Sequence, residues 1–301
     1  MTILEATNVH KRFGDEQVLR GIDMLVEDGE IVLLMGPNGV GKSVLMSCLA
    51  GSSRITDGSI TLFDSYDPVE AQSMMSVMKQ GEMTDPDLTG RENVEFYRRL
   101  HPRGAGDVGR ILERLEMEDD ADRLVRTYSG GMKRKIEVAI ALSVDVPLYL
   151  LDEPVAELDL SMIRVLHDMI LERREAGAAF LITSHTPLDA QIADRIAFVQ
   201  NGRIVKSSAP DALLETLPSV LRVRGGVPPE ELLVGGRAFH RGDEVRGFLP
   251  EGTSLDDAKS ALDASYEYAL VEIDRPSYTD MFNYYTYLEP SAAEGIPPIV
   301  K

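Results

Sequence analysis

Residues 3–9 and 18–26, rich in apolar positions, lie on either side of Phe13-Gly14-Asp15-Glu16. This predicts two strands joined by a turn, with a second turn at Asp28-Gly29. Residues 31–35 are then apolar without interruption, as in a strand buried on both faces of a parallel sheet. An apolar-periodic stretch follows at Val44-Leu45-Met46-Ser47-Cys48-Leu49, which predicts a helix, and Ser59-Ile60-Thr61-Leu62-Phe63 predicts a short strand after the Asp57-Gly58 turn. Residues 67–115 change character. They predict a helical insert, with helices over 93–100 and 108–115 broken by His101-Pro102-Arg103-Gly104. An amphipathic helix over 132–142 and a buried strand over 148–151 follow. A second cycle adds a helix over 162–174, a strand over 179–183, a helix over 188–194 and a hairpin over 196–205 turning on Asn201-Gly202. Alternating β and α elements predict a mainly parallel sheet with helices on both faces.

Around Ser207-Ser208-Ala209-Pro210 the pattern loosens and a small α+β appendage begins. It shows strand-like pieces at 220–223 and 244–249, a helix over 255–264, a run over 269–273 leading into Arg275-Pro276-Ser277-Tyr278-Thr279-Asp280-Met281-Phe282, and a frayed end after Glu289. The expected domains are therefore 1–208, with the helical insert at about 85–145, and an accessory domain 209–301.

Composition narrows the class. At 301 residues and 44% hydrophobic, with no eighteen-residue uncharged apolar run and no basic-then-apolar leader, the chain reads as cytoplasmic. Cys48 is the single cysteine, which excludes an intrachain disulfide framework and fits a small buried residue. The net charge of −19 is spread along the chain, which argues against nucleic acid as the main ligand. Dispersed acidity reads either as an ordinary acidic surface or as a halophile's protein whose fold needs molar salt to screen its self-repulsion; the lack of Trp and clusters such as Met117-Glu118-Asp119-Asp120 fit the second.

Between the apolar strand and the helix lies Gly36-Pro37-Asn38-Gly39-Val40-Gly41-Lys42-Ser43. Glycines let the backbone approach a polyphosphate, and consecutive N–H groups at a helix N-terminus face the anion. Lys42 would reach the β- and γ-phosphates, and Ser43 would supply an oxygen to Mg²⁺. The strand over 148–151 delivers Asp152, a second candidate Mg²⁺ ligand, and Glu153 next to it could activate the attacking water. Tyr128-Ser129-Gly130-Gly131-Met132 opens the helix over 132–142, where Ser129 is a good cap and the glycines bare their N–H groups.

Together these three stretches resemble the ATP-binding cassette (ABC) family, whose signature Leu-Ser-Gly-Gly-Gln is approached here with Tyr128 and Met132 at its ends. The resemblance covers residues 1–208. It implies a P-loop NTPase core with an N-terminal antiparallel β part, using ATP and Mg²⁺ for hydrolysis. It further implies that Phe13 stacks on adenine and that Gln80 touches Mg²⁺ and the attacking water. His185 would sense the γ-phosphate, and Asp159 would contact an opposite subunit. Two copies, or this chain and a paralogue, are then expected to enclose ATP. Arg275 to Phe282 is similar to a Pro-Ser-Leu-Glu-Asp-Val-Phe stretch closing many exporter-like cassettes, and the signature variants fit the exporter-like (ABC-2 type) class with short, separately encoded permeases. The implied protein is the ATP-hydrolysing subunit of a membrane transporter, peripheral on the inner face of the cell membrane. The rival readings are cassette ATPases of DNA repair or ribosome work, a switch GTPase and a binding-only regulator. They would call for coiled-coil inserts, a duplicated cassette or a basic face; for an Asn-Lys-x-Asp stretch; and for the lack of Glu153 or His185, respectively.

Overall fold

A computed structural model describes residues 1–64, 68–81, 83–104, 106–262 and 270–288. Strands β1 (Thr2–Phe13) and β2 (Glu16–Glu27) form the predicted opening hairpin, longer at both ends than the expected strands. The buried strand β3 (Ile31–Met35) leads through the glycine loop into α1 (Lys42–Leu49). β4 (Asp57–Leu62) then returns to pair antiparallel with β1, giving a three-stranded sheet of order β2-β1-β4.

The middle of the chain runs α2 (Pro68–Ser73), β5 (Met75–Met78), α3 (Gly90–Leu100), α4 (Val108–Arg114) and α5 (Gly130–Leu142). It continues as β6 (Leu148–Asp152), α6 (Leu160–Glu175), β7 (Ala179–Ser184), β8 (Arg195–Gln200) and β9 (Arg203–Ser208). Helices α3 to α6 start where the sequence supplies side-chain acceptors for bare N–H groups. Thr89 and Glu92 make a reciprocal capping box on α3, while Asp107, Ser129 and Asp159 cap α4, α5 and α6. The second sheet has six strands in the order β5-β6-β7-β3-β8-β9, with β5/β6, β6/β7, β7/β3 and β3/β8 all parallel. Every residue of β3, β6 and β7 is buried, which explains their largely apolar character. Between the two sheets, Leu4, Val9, Ile22, Val26, Val32 and Leu34 meet Leu45 and Leu49 of α1 in one apolar cluster. Cys48 belongs to it and is buried.

Two elements differ from the sequence pattern. The stretch expected to be wholly helical contains β5, a four-residue edge strand whose Ser76 hydroxyl is satisfied by the carbonyl of Ala141 at 2.7 Å. Residues 188–194, expected as an α-helix, form only a 3₁₀ turn over Pro187–Gln191. There the Asp189 side chain is drawn inward by hydrogen bonds from β7 and α6.

The chain divides into two compact units, Met1–Ser207 and Ser208–Lys301. In the second, after the short α7 (Pro210–Glu215), β10 (Val220–Arg224), β11 (Ala238–Arg241), β12 (Glu244–Phe248) and β13 (Leu270–Asp274) form an antiparallel sheet of order β11-β12-β10-β13. Leu221 and Val223 pack on Leu233, Leu249 and Ala258, the last of these on α8 (Leu255–Ala261). The alternate residues Arg222, Glu244, Arg246 and Asp274 form an ion-pair network. Arg246 also makes a two-pronged contact with Asp280 of α9 (Tyr278–Tyr287), at 3.0 and 2.9 Å. Residues 263–264 of the expected helix, Ala269 and the expected frayed end after Glu289 lie outside the described residues.

Candidate functional site

The register of the parallel sheet decides which motifs meet. Met78 of β5 lies beside Leu151, Asp152 of β6 beside Thr183, and Ser184 of β7 beside Met35. The segments carrying Gln80, Asp152 with Glu153, His185 and the loop from Gly36 therefore leave the sheet along one edge, at the carboxyl ends of adjacent strands. In open α/β sheets ligands bind at that end.

The loop is fixed by its backbone. Gly36, Gly39 and Gly41 take φ values of 149°, 83° and 105°, left-handed conformations that a side chain disfavours. At Gly36 a Cβ would also lie 2.3 Å from the carbonyl oxygen of Val199. Lys42 is buried, and its ammonium donates to the carbonyls of Gly36 at 2.7 Å and Pro37 at 3.1 Å. Burial pushes the Lys42 pKa down, and the negative charges of Glu153 and Asp152 act against that push. Ser43 lies in the first turn of α1.

Asp152 is 3% exposed and accepts a hydrogen bond from the Thr183 hydroxyl. The same hydroxyl accepts the backbone N–H of Glu153 at 2.9 Å. Glu153 adopts a left-handed φ of 51°, a costly conformation for a non-glycine residue that persists where the surroundings over-determine it. Here Thr183 holds its N–H, and Arg134 of α5 donates to its carbonyl at 2.9 Å. Its carboxylate faces Gln80 Nε2 and His185 Nδ1, each at 3.5 Å. Gln80, Glu153 and His185 thus form one cluster, although 105 positions separate the first from the last in sequence numbering. Thr183 and Arg134 escaped the sequence reading. Thr183 could have been suspected as a hydroxyl in an otherwise apolar strand, but the pairing of Arg134 with Glu153 leaves no local signal.

The Ser129 hydroxyl accepts the Met132 N–H at 3.3 Å and caps α5. A Cβ on Gly130 would fall 1.8 Å from Glu157 Oε2, and one on Gly131 would fall 2.9 Å from the Glu157 carbonyl. Glu157 itself takes a left-handed φ of 63°. Tyr128, which replaces the family's Leu, is buried and donates its hydroxyl to the carbonyl of Asp120 at 2.6 Å, tying the turn to the helical insert. Asp159 caps α6 and takes hydrogen bonds from the Ser161 hydroxyl and the Met162 N–H, which lower its pKa in that order. Phe13 ends β1 with half its surface exposed and Lys11 Nζ 4.7 Å from its ring centroid.

Comparison with known proteins agrees with this architecture. The family model described as "ABC transporter" matches residues 19–156. The chain is 34% identical over 221 residues to the Nod factor export ATP-binding protein I of Burkholderia lata, covering 71% of this chain and 73% of that protein. It is 28% identical over 292 residues to the daunorubicin/doxorubicin resistance ATP-binding protein DrrA of Streptomyces peucetius, covering 92% and 88%. A solved dimeric bacterial ABC transporter cassette superposes with a TM-score of 0.62 at 25% identity, over 69% of this chain and 99% of that one. Among the described residues no helix is long and apolar enough to cross a membrane. Export ATPases along most of their length, and cassettes of the same fold, thus place the chain in the ABC transporter family, as an ATP-binding subunit that hydrolyses ATP to power a membrane transporter.

Proposed function

We propose that ATP binds across the strand edge that carries Gly36–Ser43, Asp152, Glu153, Gln80 and His185, and that the alignment of four strand ends assigns each residue its part. The observation that carries this reading is the Glu153 carboxylate, held between Gln80 and His185 by a strained, doubly anchored backbone. Backbone N–H groups of Gly36, Asn38, Gly39, Val40 and Gly41 surround the phosphates, and Lys42 turns from its carbonyl partners to the β- and γ-phosphates. The Ser43 hydroxyl, the Asp152 carboxylate and the Gln80 amide are all hard oxygen donors, a set that suits Mg²⁺. When bound, Mg²⁺ would neutralise charge developing on the phosphates. Glu153 takes the proton of the attacking water, while His185 and Gln80 orient the water and the γ-phosphate. Phe13 stacks on adenine.

Ser129, Gly130, Gly131 and Asp159 act in trans, on the ATP held by a second copy or a paralogous subunit. The motive is a second helix-N-terminal anion site in a chain whose first loop already suffices for one nucleotide. Hydrolysis then removes the charge that joins the subunits, and a separately encoded permease on the inner face of the cell membrane uses the resulting motion.

The test at the site is a pair of variants. Glu153→Gln is expected to bind ATP normally and lose about 10²-fold or more in turnover, the scale of general-base catalysis. Lys42→Ala is expected to lose binding itself. Hydrolysis by Glu153→Gln at the parent rate would remove Glu153 from the base role.

A further inference from the structure

His185 does its work at the end of β7, yet half of its side chain is exposed and its own contact to Glu153 is long. Its position must therefore be set by its neighbours in the chain. Directly before it, Ser184 is 1% exposed and donates its hydroxyl to Asp189 Oδ2 at 2.5 Å. The Ser184 hydroxyl oxygen in turn accepts the N–H of Thr186, directly after His185, at 3.0 Å. Both residues flanking His185 are thereby tied to a single carboxylate or to the hydroxyl it holds. The second oxygen of Asp189, Oδ1, lies 2.7 Å from Nε2 of His167, a buried histidine in the middle of α6. Asp189 is 2% exposed, so each oxygen has a protein partner in place of water, as a buried carboxylate requires. The catalytic reading uses none of Ser184, Asp189 and His167.

We propose that Asp189 and His167 are positioning residues for His185: the carboxylate, clamped from behind by the imidazole of α6, holds the Ser184–Thr186 bend that aims His185 at the nucleotide. The functional consequence rests on the reading of His185 as a contact to the γ-phosphate. Because α6 is capped by Asp159, which is read as facing the opposite subunit, the same clamp joins the 3₁₀ turn after His185 to the helix that starts beside the subunit contact. Loss of Asp189 leaves Ser184 and His167 without their shared acceptor and frees the bend. Loss of the His167 ring leaves one oxygen of a buried carboxylate unpaired.

The full chain has five histidines, few enough for their ring signals to be resolved by NMR after selective labelling, and the His185 signal is identified by its loss in His185→Ala. In Asp189→Ala and in His167→Leu, the His185 signal is expected to move. ATP turnover should fall about tenfold or more with KM for ATP unchanged, since misplacement of a catalytic group acts on the chemical step. His167→Gln, which can still donate to Asp189, should restore both readouts most of the way. In the His185→Ala background, Asp189→Ala should add less than about a twofold further loss, because residues acting through one another are not additive. If Asp189→Ala fails to fold, Asp189→Asn keeps the side chain's size, replaces one acceptor with a donor and carries the same readouts. An unmoved His185 signal in a folded variant would overturn the proposal. So would a tenfold loss from Asp189→Ala that persists in the His185→Ala background. A signal that moves while His185→Ala itself leaves turnover intact would support the positioning and remove the γ-phosphate reading instead.

Discussion

Asp280 shows how much one side chain can organise. It closes a reciprocal capping box with Ser277 at the start of α9 and also pairs with Nε and Nη2 of the Arg246 guanidinium. The resemblance of this stretch to a family ending therefore has a structural reason, since the motif ties the last helix to the charged face of the appendage sheet. Burial would raise the Asp280 pKa, but hydrogen bonds from Arg246 and Ser277, with the guanidinium charge, outweigh it and hold the carboxyl below its ordinary value. A carboxyl whose folded pKa lies below its unfolded one stabilises the fold fully above the unfolded pKa, near about 4, and loses that contribution as pH falls through the folded value. Asp280→Ala is expected to cost about 3–5 kcal/mol at pH 7, because it leaves Arg246 buried without its main partner. The gap to the parent should narrow on acidification below about pH 4. Urea unfolding followed by the fluorescence of Tyr278, Tyr284, Tyr285 and Tyr287 would read it, and a gap independent of pH would exclude the ion pair as its source. The glycine loop, Asp152 and Glu153 were legible in the sequence because their chemistry depends on residue type and close spacing. Thr183, Arg134, Asp189 and Asp280 were not, because each acts through a partner brought near only by the fold.

At the scale of elements, strands and helices with unbroken periodicity read directly from the sequence: β3, α5, β6, α6 and β7 all lie where their patterns predict, within two residues. The failures have local causes. β5 is short and places Ser76 inside the sheet, so nothing distinguishes it from the helical stretch around it. The turn at Pro187–Gln191 has helical composition, but its Asp189 serves a tertiary contact that ends the helix after one turn. The helical insert carries a further expectation. α3 exposes Phe96 and Leu100, four residues apart and so on one face, with Arg99 beside them. We expect this face to meet the permease. Phe96→Glu or Arg99→Glu should then abolish ATP-driven transport in vesicles holding the permease while leaving the hydrolysis of the isolated subunit within about twofold. Equal loss of both activities would make the face a packing surface only.

For the whole molecule, the sequence conveyed the order of the cassette but could not convey the sheet order, which skips from β7 to β3 and then to β8. That crossover sets the glycine loop between the strands that carry His185 and the final hairpin. Parallel strands far apart in sequence pair by register, a property of the folded sheet rather than of any segment. The same logic extends beyond one chain. The Ser129 turn opens α5 with Glu157 against its glycines, and it is proposed to act on the ATP of a second subunit. Sedimentation velocity of the Glu153→Gln protein with and without Mg-ATP tests the role of that second subunit most directly. We predict a monomer without nucleotide and a dimer with Mg-ATP. The dimer should be lost in Glu153→Gln combined with Ser129→Asp, which retains a helix cap but sets a carboxylate against the incoming phosphate. Sedimentation unchanged by Mg-ATP, or a dimer that survives Ser129→Asp, would contradict the account.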